Sequence, residues 1–141
     1  MRVLTPTHRP SRRGLSVIEA AIVFPLLLLI LIGVIEYAWM MLKNQEIKNA
    51  ARHGARIAVR EISTNAQVST AIGTLMTSAG MGGSGYVVNL NPLDVSTVEP
   101  GNTITVSITV PYANIDLTGV PLLPLPTSLI EETTMVKEGA Q

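Results

Sequence analysis

The chain has no cysteine among its 141 residues. That excludes a disulfide framework, a thiolate metal site and a cysteine nucleophile. It does not fix the compartment, because exported proteins also do without cysteine. Charge is scarce, at 14% of residues, and balanced, with ten basic and ten acidic side chains. No net positive field is available to hold a polyanion, so nucleic acid is not an expected partner. There is no Ser-His-Asp order, no metal-ligand spacing and no nucleotide loop. The glycine cluster GMGGSG (residues 80–85) lacks the lysine and the strand-before-helix setting of a phosphate loop, and reads as a turn. His53 is a lone histidine. Asp94, Glu99, Asp116, Glu131 and Glu132 fall on predicted loops and strand ends, where solvation explains them. No enzyme activity, cofactor or metal is expected.

What the chain does have is one long apolar run. Between Leu15 and Leu42 the only charges are Glu19 and Glu36. A helix needs about 20 mostly apolar residues to cross a bilayer core, and this run is long enough. It is too long for the apolar core of a cleaved secretory signal, and no small-residue cleavage site follows it closely. A chain this short could not wrap such a helix on all sides as a soluble core. Pro25 removes one backbone donor, so a bend is expected there. Tyr37 and Trp39 follow the apolar block and are expected to anchor at the headgroup level. Basic residues flank both ends: Arg2, Arg9, Arg12 and Arg13 before, and Lys43, Lys48, Arg52, Arg56 and Arg60 after. The positive-inside rule nearly ties. Arg12 and Arg13 abut the run on a short tail, which favours a cytoplasmic N-terminus.

The junction Arg12-Arg13-Gly14 followed by Leu15-Ser16-Val17-Ile18-Glu19 resembles the cleavage site of type IV prepilin-like proteins. The longer stretch resembles the N-terminal module of TadE-like pseudopilins of tight-adherence pilus systems. The residues carrying this resemblance are Glu19, Phe24-Pro25-Leu26-Leu27, Gly33, Ile35-Glu36-Tyr37, and Asn49-Ala50-Ala51-Arg52 with Gly54-Ala55-Arg56. The resemblance implies a processing site at Gly14 and Leu15, cut on the cytoplasmic side by a prepilin peptidase. It also implies an assembly role for Glu19, fifth from the new terminus. Its implied partners are that peptidase, other pilin or pseudopilin subunits with their assembly machinery, and the lipid bilayer of the inner membrane. The outer domain would then be extracytoplasmic.

A carboxylate in hydrocarbon costs several kcal/mol unless paired. The amine freed at Leu15 lies about one helical turn from Glu19. The bland reading keeps Glu19 as a flanking charge in the headgroup zone. Removing residues 1–14 takes away four arginines, leaving six basic against ten acidic side chains, a net of −4. An uncleaved single-pass protein whose outer domain binds an envelope or protein partner is the alternative function.

The expected fold is α+β and pilin-like: a long N-terminal transmembrane helix extended into a small antiparallel-sheet domain. Its expected divisions are a leader (1–14), a transmembrane helix (15–42), a helix extension (43–60) and a small outer domain (61–141). On the extension, Ala50, Gly54 and Ala58 form a ridge of small residues that lets a partner element come close, expected to be the chain's own sheet. Lys48, Arg52, Arg56 and Arg60 form a basic ridge beside it. A second helix is expected over Asn65–Ala79, with Val68, Ile72, Leu75 and Met76 on one face. Tyr86–Leu90 reads as a short strand. Ile104, Val106, Ile108 and Val110 alternate with Thr and Ser, the period of a half-buried strand. The two flank the turn residues EPGN (99–102) and pair antiparallel in the simplest arrangement. VPLLPLP (residues 120–126) carries three prolines and cannot be a central strand. SLIEETTMVKE (residues 128–138) is expected to supply a last strand, with Thr133–Lys137 at its centre.

Overall fold

The computed structural model describes residues 13–119 and 123–139. Leader residues 1–12 and residues 120–122 of the apolar connector lie outside the described residues. The fold is α+β, as the sequence patterns indicate. Helix α1 spans Arg13–Ala58, α2 spans Asn65–Ser78, and three strands follow: β1 (Val87–Asn91), β2 (Thr103–Pro111) and β3 (Ser128–Val136). The chain divides into two compact units, one ending at Ile35 and the other covering Glu36–Gln141.

The described part of the first unit, from Arg13, is helix alone. From Ser16 to Leu31 every α1 side chain is exposed, although nearly all are apolar. The helix continues through Pro25 as one element rather than breaking there. It is the one described helix long and apolar enough to cross a membrane, with a mean hydropathy of 2.8 over its most apolar window.

In the outer unit, β2 is central in the order β1-β2-β3, with both pairings antiparallel. Ile104, Val106, Ile108 and Val110 are fully buried on one face. Each such β-branched side chain taken out of water contributes about 1.5–3 kcal/mol. They join Ile47, Ala51 and Ala55 of α1 and Val68, Ile72 and Met76 of α2 in a single core.

Helix α2 begins where Thr64 and Gln67 exchange hydrogen bonds as a capping box, satisfying two of the otherwise free N–H groups of its first turn. It ends before Gly80, whose φ of 73° only glycine adopts without strain. Leu75, expected on the buried face, is 36% exposed; the buried residues are Val68, Ile72 and Met76. Leu75 lies to one side of the narrower stripe these three define.

One further expectation shifts. The last strand starts at Ser128 and ends at Val136, so Lys137 lies past it. The Lys137 side chain turns inward and is only 4% exposed. Its Nζ donates to Val95 O at 3.0 Å, Ser63 Oγ at 3.3 Å and Ala58 O at 3.4 Å. The cation thereby meets the negative end of α1, where unpaired carbonyls accumulate. The second compact unit starts at Glu36, within the apolar run. Apolar side chains continue along α1 past Glu36, and hydropathy alone cannot distinguish those that face lipid from those that face a protein core.

Candidate functional site

The outer unit opens on a buried carboxylate. Glu36 is 0% exposed, and no lysine or arginine among the described residues forms a salt bridge with it. Its charge is met by four donors instead. Oε1 accepts from Tyr112 Oη at 2.6 Å and from Leu117 N at 3.2 Å. Oε2 accepts from Thr118 Oγ1 at 2.7 Å and Thr118 N at 3.0 Å. Hydrogen bonds to an ionised acceptor are short and about twice as strong as neutral ones, and so can offset the cost of burial. Tyr112 sits in the short 3-10 turn that leaves β2, which aims its ring at α1. Burial, and then the Glu36 carboxylate it bonds, raises the Tyr112 phenol above its ordinary range. The hydroxyl therefore stays a donor.

Two aromatics reinforce the same seam. Tyr37 Oη donates to Pro124 O at 2.8 Å, and Trp39 Nε1 donates to Ile115 O at 2.7 Å. Lys43 Nζ stands 4.7 Å from the centre of the Trp39 ring and bonds Glu46 Oε2 and Ala79 O. The two residues singled out as membrane anchors thus have their polar atoms satisfied by the outer unit's own carbonyls, while the Tyr37 ring remains 37% exposed. Nothing in the sequence marks Tyr112, Leu117 or Thr118, which lie 76 to 82 residues from their partner. A carboxylate inside an otherwise apolar helix is the one available signal, and it applied to Glu36 as much as to Glu19.

The small ridge faces inward. Ala50 and Ala58 are buried, and so is Gly54. A methyl group added at Gly54 would come within 2.6 Å of Ile72 Cδ1 and 2.7 Å of Cγ1, with Val106 Cγ1 at 3.6 Å. The ridge therefore seats both α2 and β2. On the basic ridge, Lys48 stands 3.9 Å from Glu131, while Arg52, Arg56 and Arg60 are exposed, as is His53. Gly14 and Leu15 lie in the first turn of α1, and Glu19 is exposed one turn further on. Glu19 and Glu36 thus occupy opposite environments on one helix.

Residues 14–56 match the family model described as TadE-like protein. The matched segment runs from the glycine of the junction, through Glu19 and Glu36, to Arg56 on the packed part of α1, so the similarity is to this helix alone. Comparison with curated proteins and with solved structures returns no match.

Proposed function

We propose that the chain is a structural pseudopilin, or minor pilin, that serves in assembly of a tight-adherence pilus or a related secretion apparatus. The observation that carries this reading is the TadE-like match beginning at Gly14, with an exposed glutamate at the fifth position after it. Residues 1–14 are a cytoplasmic leader, removed by a prepilin peptidase between Gly14 and Leu15. The apolar part of α1 spans the inner membrane once, and the outer unit is extracytoplasmic. Ser16–Ile35 supplies about 30 Å of helix, the thickness of a bilayer core. Tyr37 and Trp39 mark its outer boundary.

Cleavage turns a peptide nitrogen into the free α-amine of Leu15. An amine meeting the Glu19 carboxylate of its own or an adjacent subunit removes the penalty of an unpaired charge in lipid. Pairing with a neighbour fixes the stagger between subunits. The chain contributes helix packing and a folded outer unit, with no chemistry of its own.

Intact-mass and N-terminal analysis of membrane-extracted protein, coexpressed with a matching peptidase, tests the processing step. Leu15 is expected as the first residue, and Gly14→Ala should leave the leader attached. Glu19→Ala should insert in the membrane yet fail to assemble. Assembled filaments containing chains that still begin at Met1 would replace this reading with the uncleaved single-pass alternative.

A further inference from the structure

The sheet has two edges of unequal length: β1 carries five residues and β3 nine. In an antiparallel ladder, residues whose backbone groups bond the neighbouring strand alternate with residues whose N–H and C=O point away from it. Bonds at both ends of the β2–β3 ladder fix its phase. Tyr112 N donates to Thr127 O at 3.0 Å, and Lys137 N donates to Asn102 O at 2.8 Å. The register therefore turns the backbone of Leu129, Glu131, Thr133 and Met135 toward β2, and that of Ser128, Ile130, Glu132, Thr134 and Val136 outward. On β1 only Val88 and Leu90 point outward. Among the described residues, no backbone bond reaches the outward groups of β3.

An open edge of this length is a template for a further strand, and proteins ordinarily blunt it with lysine, proline, a bulge or an inward-pointing charge. From Ser128 to Val136 there is no lysine, arginine or proline, and the register runs without a bulge. Glu131 does face inward, but α1 takes up its oxygens. Asn44 Nδ2 donates to Oε1 at 2.7 Å, and Lys48 Nζ stands 3.9 Å from Oε2. On the outer face, Ile130 is 59% and Val136 56% exposed, and Glu132 lies in the open between them. No described lysine or arginine forms a salt bridge with Glu132.

We infer that β3 receives an extended segment of another protein as a fourth strand, with apolar side chains opposite Ile130 and Val136 and a basic one opposite Glu132. The outward residues recur about every 7 Å, a spacing that an extended backbone matches with its own donors and acceptors. Main-chain bonds give such a guest its affinity, and alternate side chains select its sequence. A second copy presenting its own β3 is the poorer occupant, because the outer face of that strand holds no cation to meet Glu132. Paired antiparallel, the guest reads apolar, then basic four residues on, then apolar two residues later. The edge is open whether or not the chain is cut after Gly14.

The probe is the peptide acetyl-Val-Thr-Thr-Thr-Lys-Thr-Val-amide, added to the full chain in detergent micelles and read by amide hydrogen exchange. In the free protein the amides of Leu129, Glu131, Thr133 and Met135 should exchange slowly, and those of Ile130, Glu132, Thr134 and Val136 fast. Saturating peptide should slow the second set by roughly tenfold or more. Replacing the peptide's lysine by glutamate should weaken binding by about two- to thirtyfold, as an attractive cross-strand pair becomes a repulsive one. Glu132→Lys in the protein should reverse that preference. Thr134→Pro removes an outward N–H that β2 does not use, and should abolish the slowing while native Trp39 emission persists; if that emission is lost, the Glu132→Lys reversal decides alone. A second set that stays fast with peptide, or a preference indifferent to Glu132→Lys, overturns the inference. Slowing without peptide that grows with protein concentration gives the edge to a second copy and likewise overturns it.

Discussion

Replacing Glu36 by glutamine keeps the shape of the side chain and reverses the polarity of one of its two acceptor positions. Each oxygen faces one hydroxyl and one backbone N–H: Tyr112 and Leu117 on one side, the Thr118 side chain and backbone on the other. A hydroxyl can rotate to accept from the new amide, but a backbone N–H cannot. In either amide orientation one part-buried N–H loses its acceptor, at about 1–2 kcal/mol. The remaining bonds lose the benefit of a charged acceptor, about 1 kcal/mol each. Opposing this, a neutral amide is cheaper to bury than a carboxylate without a cation.

The balance is a net loss of about 2–3 kcal/mol, a large part of the 5–15 kcal/mol typical of a domain. Denaturant unfolding of the full chain in detergent micelles reads this directly. Trp39, the only tryptophan, reports through the seam its indole N–H closes. A Glu36→Gln variant within about 0.5 kcal/mol of the native chain would refute the clamp, since a change that small is what an uninvolved surface site gives. Combining it with Tyr112→Phe should show a coupling of at least about 0.5 kcal/mol, because the two side chains share a bond.

Two further outcomes follow from the same geometry. Gly54→Ala gains about 1 kcal/mol of helix propensity but overpacks against Ile72, costing about 1–3 kcal/mol; the expected net loss should be recovered by adding Ile72→Val, and a stabilised single variant in thermal unfolding would contradict the packing. The raised Tyr112 phenol contributes stability that is complete below the unfolded tyrosine value of about 10 and is lost as pH rises beyond it. Tyr112→Phe should therefore flatten the alkaline fall of the unfolding free energy, and an unchanged slope would contradict the assignment.

Elements set by local pattern were legible in the sequence. β2 follows from four β-branched residues at a period of two, and α1 from a long apolar run that only Glu19 and Glu36 interrupt. α2 was found despite its threonines because Val68, Ile72 and Met76 repeat at helical spacing. The segment of β3 was found but its centre was placed too late, since its outer face carries Glu132 and Thr134 in the open and a half-polar edge strand gives little periodic signal. The bonds that hold Glu36 were not legible for a different reason. Hydropathy scores Glu36 as an interruption, whereas its role depends on Tyr112, Leu117 and Thr118, which no local window contains. Lys137 was hidden in the same way, its acceptors being two carbonyls and a serine far along the chain.

The ties that bind the apolar helix to the sheet are all long in sequence. Glu36 waits for Tyr112 and Thr118, Asn44 for Glu131, and Ala58 for Lys137, separations of 76 to 87 residues. Loops that long are slow to close, because their entropy is lost before any contact repays it. On the topology proposed above, the helix would be in place while its exposed flank still lacked strands to cover it. Biogenesis would then have an ordered wait built into it, during which Ile47 and the alanines beside it remain open to whatever first reaches them.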